Sequence, residues 1–454
     1  MDPIALLSHT LPTATVAYRA GVPITVRQFL SDAHHLAQRL PDSKHVLNVC
    51  ADRYHFTVGL ASCLLSQRVS LLPSAHTPQV IAQLSAFAPD TFCLTDDAHC
   101  DIDLPQFNFP AQLPVCVPSG PQESLRIPVI AAGQLAAIVF TSGSTGVPVP
   151  FQKTWGLLAR SIQTGAPRLG MVEGKSHAIV ATVPGQHMYG FESTVLLALL
   201  SGNAFCAERP FYPADVAAAV EAVPRPRILV TTPIHLRTLL GSEVKFPPVD
   251  LVICATAPLS QALAREVEKK YRTPLLEIYG STETGQIAIR RTADTLAWRL
   301  WPGVRLSMSN DQAYAQGGHI EQLTPMCDVI EITGEEEFLL HGRMADLVNV
   351  AGKRSSFGYL NAQLNAIPGV RDGAFFLREG PNESTGVDRL GAVVVAPGMS
   401  VATLIEHLRR KIDSAFLPRP LLMVEELPRN ATGKLPQAAL QGFAESRLRA
   451  DDSP

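Results

Sequence analysis

The sequence predicts an α/β protein with a large N-terminal α/β domain and a small C-terminal α+β domain. The chain has 454 residues, more than a typical single domain, and 46% of them are hydrophobic, which supplies a sizeable core. Short β-branched segments alternate with helical patterns through most of the chain, as in a sheet flanked by helices. This alternation of strand-like and helical patterns changes after about residue 343. We therefore expect domains at residues 1–343 and 344–454, joined by a tight hinge.

Five short apolar segments are predicted to be buried strands. They are Ala136–Phe140, His177–Val183, Ile228–Thr232, Leu251–Thr256 and Leu275–Tyr279. Between the last two, Leu259–Tyr271 has apolar residues at intervals of four and charged residues on the other face, which predicts an amphipathic helix packed on the sheet. In the C-terminal part, Gly391–Val395 is predicted to be a strand and Val401–Phe416 a helix.

Composition excludes several functional classes. Thirty-eight basic and 41 acidic side chains give a net charge of −3, so nothing favours binding to nucleic acid or to a membrane surface. Asp2 stands where a signal peptide would carry positive charge, and no apolar stretch is long enough to span a bilayer. The eight cysteines are scattered without a C-x-x-C pair, as in a reduced, cytoplasmic protein.

The first chemical motif follows the strand at Ala136–Phe140. It is a loop of small, hydroxylated residues and glycines: Thr141, Ser142, Gly143, Ser144, Thr145 and Gly146. Such a loop lets main-chain N–H groups and hydroxyls converge on phosphate oxygens. It is not a Walker loop, because Val147-Pro148-Val149 stands where Gly-Lys-Ser/Thr would be required. A helical pattern resumes at Trp155–Ile162.

Three further motifs follow in order. The second, Glu277–Gly285, lies at the carboxyl end of a predicted strand, where α/β sheets bind ligands. It offers the Tyr279 ring for stacking, the Thr282 hydroxyl for an oxyanion and the Glu283 carboxylate for a divalent cation. The third motif is Leu340–Asp346, continuing through Gly352-Lys353-Arg354, and the fourth is Leu427–Leu435.

Together these four motifs resemble the ANL superfamily of adenylate-forming enzymes, which includes acyl-CoA and aryl-CoA synthetases, peptide-synthetase adenylation domains and firefly luciferase. The resemblance covers about residues 130 to 440. It implies the ANL adenylating fold with a mobile C-terminal domain. It also implies that ATP activates a carboxylate as an acyl adenylate, with release of pyrophosphate, before the acyl group passes to a thiol.

The resemblance also assigns roles to individual residues. The loop from Thr141 to Gly146 would hold the β- and γ-phosphates, and the segment Tyr279, Gly280 and Ser281 would bind ATP, with Tyr279 stacked on adenine. Thr282 would contact the α-phosphate and the substrate carboxylate, and Glu283 would bind Mg²⁺. Asp328 would bind ribose, Arg343 ribose or phosphate, and Lys434 both the attacking carboxylate and the ribose bridge oxygen.

Several positions depart from the family pattern. The usual Pro-Lys-Gly of the phosphate loop is Pro148-Val149-Pro150 here, so either Lys153 supplies the missing charge or the loop dispenses with it. The usual Thr-Gly-Asp is Met326-Cys327-Asp328. Ala345 occupies the hinge position, which usually carries Asp or Lys, so the control of domain rotation is expected to differ.

The segment 186–192 and the phosphate-loop string look like those of stand-alone ligases from aryl-polyene and xanthomonadin-type pigment clusters. Those ligases load hydroxybenzoate-like acids onto an acyl carrier protein. The resemblance places the acyl pocket at His187, Tyr189, Gly190, Glu192 and Ala257. An apolar slot with a few polar groups suits a planar aryl acid. A core histidine and a structural tyrosine are equally compatible with the sequence.

Three functional readings remain open from the sequence. The first is an aryl acid ligase whose acceptor is an acyl carrier protein, and the second keeps the adenylation but uses coenzyme A. The third is a degenerate nucleotide-binding regulatory protein, suggested by Val149 and Ala345. No aspartate that would meet a substrate ammonium is evident, which favours an acid other than an amino acid.

Overall fold

The computed structural model describes residues 2–73, 75–111, 113, 126–142, 148–172, 174–310, 312–343, 347–350, 353–378, 389–429 and 435–451. The α-helices in this part of the chain are α1 (Val26–Ala37), α2 (Arg53–Leu65), α3 (Pro78–Phe87), α4 (Trp155–Gly165), α5 (Met188–Gly190), α6 (Leu197–Leu200), α7 (Pro213–Glu221), α8 (Pro233–Leu240), α9 (Gln261–Tyr271), α10 (Phe357–Asn365), α11 (Val401–Arg409) and α12 (Gln437–Asp451). A π-helical segment, Phe191–Leu196, joins α5 to α6.

The strands, in chain order, are β1 (Ile4–Ala5), β2 (Thr15–Arg19), β3 (Val22–Thr25), β4 (His45–Asn48), β5 (Val69–Leu72), β6 (Phe92–Thr95), β7 (Gln106–Asn108), β8 (Val129–Ile130), β9 (Leu135–Ser142), β10 (Pro148–Thr154), β11 (Ala178–Ala181), β12 (Ala204–Cys206), β13 (Arg227–Thr231), β14 (Leu251–Cys254), β15 (Leu275–Ser281), β16 (Gly285–Arg290), β17 (Trp298–Leu300), β18 (Val304–Ser309), β19 (Gln312–Gly317), β20 (Ile320–Pro325), β21 (Asp328–Ile332), β22 (Glu337–Arg343), β23 (Leu347–Val350), β24 (Lys353–Ser356), β25 (Asp372–Arg378), β26 (Arg389–Val395) and β27 (Leu421–Met423).

Two large sheets organise the N-terminal part of the molecule. The larger has the strand order β21-β22-β17-β16-β15-β14-β13-β11-β12-β2-β3. Its six strands from β15 to β2 are parallel, and the strands that flank them on either side are antiparallel. The second sheet has the order β10-β9-β5-β4-β6-β7. Parallel strands with helical crossovers give an α/β architecture, which confirms the predicted fold class.

The five predicted strands are all present, as β9, β11, β13, β14 and β15. The predicted amphipathic helix is α9, which begins at Gln261 because the Ser260 hydroxyl caps it by accepting from the Leu263 N–H at 3.2 Å. Val267 is fully buried on its inner face. Apolar spacing therefore identified both the strands and this helix correctly.

The prediction of one helix over Val401–Phe416 is wrong at its C-terminal end. Helix α11 ends at Arg409, and a separate 3₁₀ turn covers Ser414–Phe416. Asp413 is extended, and its carboxylate accepts from the Ala415 N–H at 3.0 Å, so it begins a new turn instead of continuing the helix. The apolar residues of this segment are still buried in one cluster, so their spacing reported burial but not helix length.

The hydrophobic core divides along the chain. Buried clusters built from residues between Leu6 and Phe338 fill the N-terminal part, whereas two others draw only on residues between Val348 and Ala444. A large N-terminal and a small C-terminal unit are thus present. The boundary between residues 343 and 344 stays a prediction, because residues 344–346 lie outside the described part of the chain.

Two expectations from composition concern membranes and thiols. Among the described residues, no helix combines the length and the apolar character that crossing a membrane requires. The cysteines in the described part of the chain carry free thiols, and most of these thiols are buried.

Candidate active site

The second motif forms the turn between β15 and β16. β15 and β16 are antiparallel neighbours, with Ser281 opposite Gly285, so residues 282–284 form a tight connection at the end of the strand pair. Gly280 lies at an irregularity in this ladder, and a Cβ there would stand 2.2 Å from the Gly285 carbonyl oxygen. The motif therefore requires glycine at position 280 because the two strands approach too closely for a side chain.

Side chains within the turn fix its shape. The hydroxyls of Ser281 and Thr284 lie 3.1 Å apart, and each accepts a hydrogen bond from the main-chain N–H of the other residue at 3.2 Å. Thr284 is buried, whereas Thr282 and Glu283 between them are only half-buried. The turn thus presents the Thr282 hydroxyl and the Glu283 carboxylate on a rigid support, as the oxyanion and cation roles would need.

The predicted nucleotide-binding residues Tyr279, Asp328 and Arg343 are brought together. The Tyr279 hydroxyl donates to the Asp328 carboxylate at 2.5 Å, although the two residues lie 49 positions apart in the chain. Asp328 opens β21 and stands opposite Arg343 in the ladder with β22. The structure describes the main chain of Arg343 but not its side chain.

Two aromatic rings pack against the ring of Tyr279. Its ring centroid lies 5.4 Å from the centroids of both Trp298 and Phe338. The Arg290 guanidinium stacks on Trp298 at 4.2 Å and is held by the buried Glu277 carboxylate, whose Oε2 is 2.7 Å from Arg290 Nε. Cation–π and aromatic contacts of this kind fix the orientation of the rings. They present Tyr279 as the platform that adenine stacking would require.

Strand β10, which follows the first motif, contacts the turn between β15 and β16. β9 carries Thr141 and Ser142 at its end, while Gly143, Ser144, Thr145 and Gly146 lie outside the described residues, as does Lys434. β10 returns antiparallel to β9, with Val149 opposite Thr141. Further along β10, the Lys153 ammonium donates to the main-chain carbonyl of Glu283 at 3.1 Å. This contact joins the hairpin of the first motif to the turn of the second.

Three buried titratable side chains lie beneath this turn: Lys153 (7% exposed), Glu192 (3%) and His319 (5%). Burial lowers the pKa of Lys153, while the carboxylates of Glu192 and Glu283 favour its charged form. Burial raises the pKa of Glu192 to about 7, against the opposing effects of Lys153 and the Gln286 N–H. We call these three side chains the subturn cluster.

His319 in this cluster is neutral at physiological pH. Burial lowers its pKa to about 4, and Lys153 adds to that shift. Its Nε2 lies 2.9 Å from the Thr284 carbonyl oxygen, which can only accept, so Nε2 carries the proton. No hydrogen-bond partner for its Nδ1 occurs among the described residues.

The predicted pocket residues lie on the segment that contains α5 and the π-helical turn. His187 caps this segment by accepting the Tyr189 N–H at 3.3 Å, and the Tyr189 hydroxyl donates to the carbonyls of Thr231 and Ile253, 3.1 and 3.0 Å away. A Cβ on Gly190 would stand 2.0 Å from the Pro184 carbonyl oxygen. Tyr189 and Gly190 therefore have structural reasons for their identity, and their contact with substrate stays a prediction.

Ala257 is half-buried just after β14 and follows a strained residue. Thr256 has φ of +81°, a conformation that is unusual for a β-branched residue. Its hydroxyl oxygen is buried with no hydrogen-bond partner among the described residues. Strain of this kind costs on the order of 1–3 kcal/mol and is concentrated at functional sites. Thr256 directly precedes Ala257, whose place in the acyl pocket stays a prediction.

Sequence reasoning missed two contributors to this site. His319 follows Gly317 and Gly318 in a tight turn, and nothing in its sequence neighbourhood signals that it reaches Thr284. Arg290 and its pairing with Glu277 were also missed. The available signal for this pair was Glu277, an acidic residue in an otherwise apolar strand, because a buried carboxylate requires a partner.

The donor set fits Mg²⁺ that is held partly by substrate. Within the described ranges, no three His, Cys, Asp or Glu side chains cluster as a metal site built from protein alone. Mg²⁺ is commonly bound through one or two carboxylates together with substrate phosphates and water. The half-buried Glu283 carboxylate, on its fixed turn, could supply that protein ligand.

Comparison with known proteins agrees with this geometry. The model of the AMP-binding enzyme family matches residues 2–329. A 4-coumarate–CoA ligase of Rhodobacter capsulatus is 32% identical over 309 residues, which cover 67% of this chain and 76% of that protein.

Two solved structures have a similar fold. Structures of ATP-bound MatB from Rhodopseudomonas palustris and of O-succinylbenzoate coenzyme A synthetase from Bacillus subtilis with ATP and magnesium superpose with TM-scores of 0.80 and 0.77. They are 18% and 16% identical to this chain. The superpositions cover 97% of this chain and 97% of MatB, and 95% of this chain and 97% of the synthetase.

Proposed function

Because this chain belongs to the family of AMP-binding enzymes, we propose that it activates an aromatic carboxylic acid as an acyl adenylate and transfers the acyl group to a phosphopantetheine thiol. Its ANL adenylating fold agrees with the prediction from the four motifs. It is an ATP-dependent, adenylate-forming acid–thiol ligase, so the reading as a degenerate regulatory protein is set aside. The aromatic acid and the identity of the thiol are the proposed parts.

One observation carries the choice of substrate class. The Rhodobacter relative, 32% identical over two thirds of this chain, is named for an aromatic acid and for coenzyme A. The segment 187–192 contains the buried apolar and aromatic side chains of Met188, Tyr189 and Phe191. A planar aryl acid suits such surroundings, because apolar walls bind the ring and a few polar groups orient it.

The proposed residue roles are those that the resemblance to adenylate-forming enzymes implies. Tyr279 stacks on adenine and Asp328 binds ribose, which the 2.5 Å hydrogen bond between them supports. Thr282 contacts the α-phosphate and the substrate carboxylate, and Glu283 binds Mg²⁺, which the fixed turn between β15 and β16 supports. The remaining nucleotide contacts come from Thr141, Ser142, Gly143, Ser144, Thr145, Gly146, Gly280, Ser281 and Arg343, with His187, Tyr189, Gly190, Glu192 and Ala257 lining the acyl pocket.

Adenylate formation brings two anions together, so it needs charge neutralisation and positioning more than a proton donor. The substrate carboxylate attacks the α-phosphorus, the bond to the bridging oxygen breaks, and pyrophosphate leaves with that electron pair. Lys434 supplies positive charge to the attacking carboxylate. Mg²⁺, when bound, neutralises phosphate oxygens. The thiol then attacks the acyl carbon and AMP leaves.

The acceptor has two candidates with the same reacting group. Coenzyme A is favoured by the name of the Rhodobacter relative. An acyl carrier protein is favoured by the likeness of the phosphate-loop string and of residues 186–192 to stand-alone ligases of pigment clusters. Both present a phosphopantetheine thiol, so the site chemistry described above serves either one.

The test is pyrophosphate release from ATP and Mg²⁺ with hydroxybenzoates, cinnamates, fatty acids and amino acids. Each acid is assayed alone, with coenzyme A and with holo-carrier protein. We expect release with aryl acids only, and turnover beyond one equivalent only with the true thiol acceptor. Release with fatty or amino acids but not with aryl acids would overturn the proposed substrate class.

We also propose that residues 1–343 and 344–454 act as separate domains that rotate about Ala345 between the two half-reactions. Domain motions of this kind often limit turnover. Ala345→Pro restricts the main chain at the hinge, so thioester formation should fall at least about 10-fold more than adenylate formation. Single-turnover measurements of each half-reaction provide the comparison. Equal losses in both would contradict a hinge at this residue.

A further inference from the structure

Lys153 occupies a position that the phosphate-loop motif does not explain. It lies four residues beyond Val149, the position at which the family pattern has lysine. Both residues are on one face of β10, but four residues along a strand span about 13 Å. Val149 is 43% exposed and Lys153 only 7%. Lys153 therefore does not take the place of the missing lysine beside the phosphates.

The subturn cluster instead holds consecutive residues of the turn between β15 and β16. Lys153 donates to the carbonyl of Glu283, and His319 donates to the carbonyl of Thr284. Glu192 lies against the same segment, because a Cβ on Gly285 would stand 2.9 Å from its Oε1. Two buried side chains from separate parts of the chain thus bind neighbouring main-chain carbonyls of one short segment, and a third packs against it.

Gly285 shows how closely the cluster fits this segment. Its φ is +71°, and a Cβ there would lie 2.9 Å from Glu192 Oε1 and 3.6 Å from His319 Nε2. The π-helical turn that carries Glu192 is fixed to the same strand, because Gln286 Nε2 donates to the Ser193 hydroxyl at 2.7 Å. π-Turns within helices are frequent at functional sites.

We propose that Lys153 is a positioning residue for adenylate formation. Its ammonium group holds the main-chain carbonyl of Glu283, so that the Glu283 carboxylate faces the metal and the nucleotide. The carboxyl group of Glu192 favours the charged form of the Lys153 ammonium by raising its pKa against the lowering effect of burial, and His319 donates to the next carbonyl. The inference rests on the proposed metal role of Glu283. It assigns a function to a lysine that lies outside the nucleotide contacts.

A buried ammonium at this place has a physical rationale. A charged donor forms a hydrogen bond roughly twice as strong as a neutral one, so it can hold a carbonyl firmly in a turn. Removing one member of a buried charge pair leaves the other uncompensated, at a large cost in stability. Lys153 therefore joins the turn to β10 through a charge-assisted hydrogen bond.

The test compares Lys153→Met, Lys153→Arg and the double variant Lys153→Met/Glu192→Gln. The double variant removes the unpaired carboxylate, so it provides a folded protein if Lys153→Met is unstable. Lys269→Met is the matched control, since Lys269 lies on the exposed face of α9. Mn²⁺ binding in the presence of a non-hydrolysable ATP analogue is measured by electron paramagnetic resonance, and ATP–pyrophosphate exchange is measured alongside it.

We expect both Met variants at position 153 to weaken Mn²⁺ binding about 10-fold and to lower the exchange kcat about 10- to 100-fold. The KM for the acid should change less than about 3-fold, and Lys153→Arg should recover most of the loss. Unchanged Mn²⁺ binding in the folded double variant would overturn the positioning role. Glu283→Gln separates the two proposals: if it leaves Mn²⁺ binding intact, the metal role of Glu283 fails first.

Discussion

Lys434→Ala is expected to lower adenylate formation by at least about 100-fold, in the range seen when a group that stabilises transition-state charge is removed. The substrate carboxylate and the α-phosphate are both anionic, and the proposed role of Lys434 is to neutralise their approach. ATP–pyrophosphate exchange with an accepted aryl acid measures this half-reaction directly. Residue 434 lies outside the described part of the chain, so the prediction rests on the Leu427–Leu435 motif.

Two controls separate this effect from loss of structure. Lys411→Ala removes an exposed ammonium from the same C-terminal unit and should leave exchange unchanged. The melting temperature of Lys434→Ala should equal that of the wild type, because the proposed role of Lys434 is toward substrate and nucleotide and not toward the packing of the protein. If Lys434→Ala keeps more than one tenth of the wild-type exchange rate, the proposed role of Lys434 in adenylate formation is wrong.

The sequence was sufficient to predict the central strands of the larger sheet. β13 and β14 are buried on both faces, so their apolar runs are almost continuous and easily recognised, and residues 275–278 of β15 are mostly buried as well. The antiparallel strands β18, β19 and β20 were not predicted, because many of their residues are polar or exposed and they contain no continuous buried apolar run. Patterns based on burial detect buried elements and miss the exposed ones.

The motifs also named two residues that the fold brings into contact. Tyr279 and Asp328 are 49 positions apart, and the Tyr279 hydroxyl donates to Asp328 at 2.5 Å, while their roles toward adenine and ribose stay predictions. The subturn cluster was not predicted, since Lys153 and Glu283 are 130 positions apart and neither belongs to a pattern that indicates contact. A buried charge is stable only with its partners, and those partners are set by tertiary packing.

Glu277→Ala is expected to lower the free energy of unfolding by about 3–5 kcal/mol, the usual cost of breaking a buried ion pair from one side. Glu277 is 4% exposed and lies on β15, between the parallel strand β14 and the antiparallel strand β16. Its Oε2 accepts from Arg290 Nε at 2.7 Å and from the Thr292 hydroxyl at 2.6 Å. Removing the carboxylate leaves the Arg290 guanidinium, whose side chain is only 11% exposed, without its counter-charge.

Glu277→Ala should also weaken the binding of ATP. Arg290 stacks on Trp298, whose ring packs against Tyr279, so release of Arg290 loosens the platform proposed for adenine. We expect Glu277→Ala to have a higher KM for ATP than the wild type, in assays under conditions in which the variant stays folded.

Urea unfolding measures the stability change, with Glu266→Ala on the exposed face of α9 as the control. Glu277→Gln keeps an acceptor for Arg290 and Thr292 and should cost less than Glu277→Ala. The double variant Glu277→Ala/Arg290→Met should recover part of the loss, because it removes the stranded charge. A cost below about 1 kcal/mol for Glu277→Ala would show that water reaches Arg290 and that this pair does not support the Tyr279 platform.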